Sequence, residues 1–238
     1  MWILRRKGGL TAKAIAELCA CRATRNYIPR SRKQFIVNYG KDYHNAHLNR
    51  NVIFNKLEVY ERLQAAGISQ PRMFHKGDEI PEDAFPLLAR KKYHSQGRDI
   101  VYIHNKHDFD NNLEDFMYDF LVEYINKTSE YRVHILGDDA FVSVKFCGET
   151  VADPLVRSHN NGWRQIEYSR DWHDELIILA TKAIDIMRYD FGAVDIIRKG
   201  DKLYVLEINT APGLEPRKLQ LYAEYFKKAE REWHNAQI

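Results

Sequence analysis

Near its end the chain reads FGAVDIIRKGDKLYVLEINTAPGL, Phe191 to Leu214. Two runs rich in Val, Ile, Leu and Tyr flank Lys199-Gly200-Asp201, a pattern that predicts two strands around a tight turn. Strands of this composition bury a face. Yet Asp195 stands in the middle of one, and Glu207 and Asn209 stand in the other. Side chains alternate faces along a strand, so Glu207 and Asn209 share a face. A tight turn sets Asp195 across from them; on that same face, three oxygen-bearing groups converge. Carboxylate and amide oxygens are hard donors that suit Mg²⁺ or Mn²⁺. Mg²⁺ keeps water and phosphate oxygens rather than taking a full protein cage, so two acids and an amide point to a nucleotide-bound metal. The alternative is a pair of acids on the wet face of an edge hairpin. The apolar residues on both sides of Asp195 weigh against it.

The rest of the chain predicts alternating helices and strands. MWILRR is a strand, GLTAKAIAELCACRAT a helix with Leu10, Ala14, Ile15 and Leu18 at helical spacing, and QFIVNYG a strand. These form one βαβ-like unit, with ATRNYIPRSRK as its second connection. Asn55 caps a helix over NKLEVYERLQAAGI that ends at Gly67. FPLLARKKY and DIVYIH are strands around the polar turn HSQGR, and DFLVEYI, EYRVHILG and DAFVSVKFCG are strands too. A helix capped near Asp171 carries Leu176, Leu179, Ala183, Ile186 and Met187. EPRKLQLYAEYFKKAEREWHN is a closing amphipathic helix with Pro216 near its first turn. Hairpins are frequent among these elements, which predicts a mixed α+β architecture.

No apolar run is long enough to span a bilayer, and the N-terminus reads as a first strand rather than a signal peptide. Three cysteines, an odd number, argue against a disulfide framework and for a reducing, cytoplasmic setting. The net charge of +3 is unevenly spread. Residues 1–50 are strongly basic, with only Glu17 and Asp42 opposing the Lys and Arg side chains. That segment is either a solvated basic face or a docking surface for an anionic partner, such as nucleic acid or an acidic protein tail.

Asp195, then Glu207-Ile208-Asn209, then Pro212-Gly213, resembles the C-terminal signature of the ATP-grasp superfamily, most closely the branch of the ribosomal-protein glutamate ligases. The resemblance covers roughly residues 54 to 218 and implies an ATP-grasp fold. It divides the chain into a reduced N-terminal unit (1–54), a lid lobe with a phosphate flap (55–123) and a C-terminal lobe with the metal site (124–238). The compact form looks like single-module members found in bacteriophage genomes, which would place it in a host cytoplasm. The resemblance implies that Asp195, Glu207 and Asn209 hold Mg²⁺ (or Mn²⁺) on ATP. It puts Lys56 at the α-phosphate. At the family's spacing from flap glycine Gly97, this sequence holds Arg90 where a lysine is usual, with Lys91 as the alternative one residue on. A one-residue slip reverses the strand face, which favours Arg90. The flap keeps Ser95 and Gly97, while Asp99 replaces a second glycine. The resemblance also implies that Glu123, Tyr124 and Ile125 present backbone groups to adenine, and that Glu130 takes the ribose hydroxyls. Arg132 stands on the same face. Arg157 and Asn160 fall where the family stabilises the reacting acyl group. Lys145, a charge inside a strand, either reaches phosphate or snorkels.

The activity implied is ATP-dependent carboxylate–amine ligation through an acylphosphate. The partners would be ATP, a carboxylate and an amine acceptor, the latter an amino acid, a peptide or a modified nucleotide. His159 and His134 are candidate bases, although solvent would suffice. Related ligases are often dimers or tetramers, so a homo-oligomer is part of this expectation. The alternative is an ATP-grasp protein that binds nucleotide or transfers phosphate without ligation.

Overall fold

The computed structural model describes residues 1–26, 34–93, 100–112, 117–147, 162–167 and 174–237. The chain opens with β1 (Trp2–Arg5), α1 (Leu10–Leu18), β2 (Arg22–Thr24) and β3 (Ile36–Tyr39). The three strands form a parallel sheet in the order β2-β1-β3. β2 lies where the sequence suggests the end of the helix and the start of the connection. The face of α1 also differs from expectation: Ala12, Ile15 and Ala16 are buried, while Leu10 and Leu18 are exposed. The small alanines let the helix backbone approach its neighbours closely, and the long leucines do not fit there.

Next come α2 (Lys56–Ala65), β4 (Met73–His75), β5 (Leu87–Arg90), β6 (Ile100–Ile103), α3 (Lys106–Asn112) and β7 (Phe120–Glu123). Asn55 caps α2, its side chain accepting from the N–H groups of Leu57 and Glu58 at 3.1 and 3.4 Å. Gly67 closes the helix at φ +74°. The four strands make an antiparallel sheet in the order β4-β7-β5-β6, with a core around Leu87, Ala89, Ile103 and Leu121. β4 and α3 are not expected from the sequence; both are short and carry weak periodicity.

The chain ends with β8 (Ser129–Leu136), β9 (Asp139–Cys147), β10 (Trp163–Glu167), α4 (Asp174–Ile186), β11 (Phe191–Lys199), β12 (Lys202–Asn209) and α5 (Pro216–Asn235). Its five strands form a second antiparallel sheet in the order β10-β9-β8-β11-β12. The expected cap at Asp171 lies outside the described residues. α4 and part of α2 cover one face of this sheet, over Leu63, Val133, Leu176, Ala180, Val194 and Ile196. A separate cluster joins the N-terminal unit to the C-terminal lobe, uniting Ile3, Ile15, Phe35 and Val37 with Phe191, Tyr222 and Phe226. α2 reaches both lobes: Leu63 packs under the five-stranded sheet, and Tyr60 packs on Phe120 and Val122 of the four-stranded one.

One irregularity decides which way the hairpin acids face. From the turn, Lys199 pairs with Lys202, Ile197 with Tyr204 and Ile196 with Val205. Continued regularly, that register would set Asp195 opposite Leu206 and turn Glu207 to the other face. A β-bulge between Asp195 and Ile196 absorbs Leu206, so that Asp195 pairs with Glu207. The acids therefore face each other as expected, but the tight turn alone does not bring them together.

Candidate active site

The face of the five-stranded sheet turned away from α4 carries a row of polar side chains. Cross-strand pairing runs Glu207, Asp195, Arg132, Ser143, Glu167 through β12, β11, β8, β9 and β10. Arg132 grips Asp195 in a two-pronged ion pair, Nε to Oδ1 at 2.6 Å and Nη2 to Oδ2 at 2.7 Å. Its guanidinium also donates to Gln165, whose amide oxygen lies 2.9 and 3.2 Å away when the amide is turned to satisfy its neighbours. Burial by itself would lower the Arg132 pKa; the charges of Asp195, Glu207 and Glu130 outweigh it and keep the group charged.

Glu207 is held from another direction. Lys56, the first residue of α2, donates to Glu207 Oε2 at 2.5 Å, and the Asn209 amide donates to Oε1 at 2.9 Å. Burial would push the Glu207 carboxyl up. The Lys56 ammonium, the Arg90 guanidinium and the Asn209 amide hold it well below the usual carboxylate range. Glu207 is thus an ionised acid at neutral pH. The Asn55 cap fixes the turn from which Lys56 reaches it.

The acids border a cavity of about 620 Å³ between the two antiparallel sheets. Arg90, at the end of β5, is buried and lies over the rings of Tyr60 and Phe120, with its guanidinium carbon 5.9 and 5.7 Å from their centroids. It lines the cavity. Lys91, the alternative, is not among the residues that line it. Of the two candidates for the basic strand position, Arg90 is the one that faces the cavity. Glu123, Tyr124 and Ile125 line the wall where β7 leaves its sheet. The Glu123 side chain turns away to Arg72 at 3.0 Å. The N–H of Glu123 donates to the Arg72 carbonyl and that of Tyr124 to the Pro86 carbonyl, both at 2.8 Å. Two of the three expected N–H groups are therefore already paired within the protein. Glu130 is buried and ion-paired with Lys145, and with Lys127 at 3.6 Å. Arg132, expected near the nucleotide, is ion-paired with Asp195.

Ser95 and Gly97 of the flap, and Arg157 and Asn160 of the acyl end, lie outside the described residues; so do His159 and Asp99. Several lining residues are not singled out by the sequence: Thr11 of α1, Lys127, Gln165 and Lys218. Alternation is the available signal. Glu130, Arg132 and His134, and then Ser143 and Lys145, stand at every second position of otherwise apolar strands and mark one polar face. Lys218, 6% exposed in the first turn of α5, has no such signature.

Among the described residues, no group of three or more His, Cys, Asp or Glu gathers as a metal cage. Two carboxylates and an amide on one hairpin suit a divalent ion that completes its shell with water or phosphate. The donor set therefore fits Mg²⁺ or Mn²⁺, with Asp195, Glu207 and Asn209 as the groups that would hold it.

Comparisons with known proteins place this architecture. It superposes on a D-alanine–D-alanine ligase from Bacillus anthracis with a TM-score of 0.69 at 14% identity, over 100% of this chain and 98% of that one. It superposes on the ATP-grasp ligase PsnB, solved with a precursor peptide and AMPPNP, with a TM-score of 0.66 at 11% identity, over 96% of each chain. At these identities the likeness is one of fold, and the fold is ATP-grasp. Residues 75–224 match the RimK-like ATP-grasp domain, so the chain belongs to that family. A probable alpha-L-glutamate ligase of Haemophilus influenzae (strain PittEE) is 26% identical over 175 residues, and one of Shewanella baltica (strain OS155) is 27% identical over 174. The matched regions cover 68% of this chain but 57% and 56% of those proteins, so the chain spans little more than half their length.

Proposed function

We infer that the protein is an ATP-dependent carboxylate–amine ligase. The observation that carries this reading is the Asp195–Glu207 pair, set face to face by a bulge on the wall of a cavity that Arg90 and Arg132 also line, with Lys56 ion-paired to Glu207. In this reading adenine lies against Tyr124 and Ile125, with the free hinge donor coming from Ile125. Lys56 and Arg90 clamp the phosphates, Arg90 with a planar fork that lysine lacks. Glu130 meets the ribose from within its lysine pairs. A Mg²⁺ ion on Asp195, Glu207 and Asn209 would draw charge from the β- and γ-phosphates. The substrate carboxylate attacks the γ-phosphorus, ADP leaves, and an acylphosphate results. The amine then attacks the acyl carbon, loses a proton to solvent and expels phosphate. Arg157 and Asn160 are assigned to the oxyanion of that second step.

The substrate end of the cavity supports a class of partner. β1, β2 and β3 run parallel, so their carboxyl ends share one edge, where ligands of open parallel sheets bind. Arg5 ends β1 and Arg6 and Lys7 follow it, Arg25 follows β2 and Lys41 follows β3. Among the described residues none of these five forms an ion pair with an acid. Thr11 carries this edge into the cavity. An anionic acceptor is the partner such an edge fits. No described helix is long and apolar enough to cross a membrane, and the three cysteines are free; a reducing cytoplasm is the setting we assign.

The test is ADP release against panels of carboxylates and amines, with mass analysis of products. ADP that requires both partners supports ligation. ADP that forms without an amine favours the phosphotransfer reading, for which the Arg90 replacement is the motive. Asp195→Asn and Glu207→Gln are expected to lower turnover by about a hundredfold or more while the fold persists. Full activity in both variants removes the metal assignment.

A further inference from the structure

The acid pair does not stand bare. Asp195 and Glu207 are directly opposed across two strands, an arrangement that like charges destabilise. The protein supplies two cations against them, and neither comes from the hairpin. Arg132 arrives from β8 with both prongs on Asp195, and Lys56 arrives from the capped start of α2 onto Glu207. Two negative charges thus meet two positive ones, and the cluster is neutral as it stands. The other acids that line the cavity are already taken, Glu130 by Lys127 and Lys145, Glu123 by Arg72 and Glu215 by Lys218. Among the described residues, a cation displaced from the pair therefore meets no unpaired carboxylate on the cavity wall, and Arg90 adds further positive charge to the same wall.

We propose that Arg132 and Lys56 are built-in counter-cations of the metal site, and that a divalent ion enters only together with a nucleotide, by exchange of partners. This rests on the reading of Asp195 and Glu207 as metal ligands. An ion arriving alone adds two positive charges to a neutral cluster beside Arg90 and leaves Arg132 and Lys56 without anions. A triphosphate brings the missing anions: the carboxylates pass to the metal while the guanidinium and ammonium pass to phosphate. Metal and nucleotide then strengthen each other's binding by the same factor. The ion pairs also hold the two acids aligned without a bound ion.

Free Mn²⁺, counted by its solution paramagnetic resonance signal, tests this without turnover. The native protein is expected to leave Mn²⁺ free at concentrations where Lys56→Gln takes it up, a gain in affinity of about tenfold or more. A non-hydrolysable ATP analogue is expected to bring the native protein to uptake. Arg132→Gln is expected to follow Lys56→Gln. Because Arg132 is the more buried of the two, Lys56→Gln is the deciding variant, checked for folding by its thermal midpoint. Nucleotide-free uptake by the native protein as tight as that of Lys56→Gln overturns the proposal. Glu207→Gln separates the two readings: nucleotide-dependent uptake that persists in it removes the acids as ligands, and the metal assignment falls along with the exchange.

Discussion

His134 shows how one residue can be chemically conspicuous without being placed for chemistry. The sequence offers it as a base. Its ring is fully buried, stacked on Phe141 at 4.5 Å between centroids, with Nδ1 3.0 Å from the Tyr222 hydroxyl. Burial, aided by the charges of Arg132 and Lys218, lowers its pKa well below 6.5. The folded ring stays neutral where the unfolded one takes a proton. Its contribution is therefore fully present above about pH 6.5 and is lost as pH falls below that value. We expect the unfolding free energy to drop by about 1–2 kcal/mol between neutrality and about pH 5 from this group. His134→Gln should have a flatter acid limb in urea titrations; an unchanged slope would assign the drop to other groups. At the same scale, Asp195 and Glu207 are legible because an acid in an apolar strand is costly without a partner. The partners are not, because Arg132 and Lys56 are distant in sequence.

Elements are legible in proportion to their length and periodicity. α2, α4, α5 and the long strands of the C-terminal lobe can be read directly. β2, β4 and α3 cannot, since a few residues carry no period. α2 also shows an element serving the site through its end. Asn55 satisfies two N–H groups, and Lys56 follows immediately. Asn55→Ala is expected to cost about 1 kcal/mol in chemical unfolding and to weaken nucleotide binding, since the turn that aims Lys56 frays. An Asn55→Asp variant, which can still cap, should retain both. The bulge at Asp195 is the opposite case: an element-scale device that nothing in FGAVDIIRKGDKLYVLEIN announces, yet it decides which face Glu207 takes.

The whole molecule is tied together at Gly40, where β3 ends. Its φ is +71°, and a Cβ there would lie 2.7 Å from the Cβ of Ala211, in the loop that follows Asn209. Arg6 closes the same junction, donating to the Gly40 carbonyl at 2.8 Å and lying 4.0 Å over the Phe54 ring. The basic edge of the N-terminal sheet is thereby pressed against the loop leaving the acid pair. Gly40→Ala is expected to destabilise by about 1–3 kcal/mol in thermal unfolding and to reduce turnover, because the new Cβ meets the Ala211 Cβ, which has no rotamer to move aside, and the left-handed φ is strained. Gly40→Ala with Ala211→Gly should recover the clash and leave the strain. If it recovers nothing, the junction is looser than its geometry.

From its residues alone this chain determined its longer helices, its long strands, the ATP-grasp pattern of its last hairpin and the acids that would hold a metal. These follow from local preferences: periodicity, capping, turn residues and the oddity of charges in apolar strands. Tertiary structure decided the rest. It put Arg90 rather than Lys91 on the cavity wall, paired Glu130 with two lysines and Arg132 with Asp195, and used a bulge to set Glu207 across from Asp195. Each of those outcomes is a pairing between strands or helices far apart in the chain. The strength of such a pairing depends on register and on burial together, and neither is a property of a short stretch of sequence.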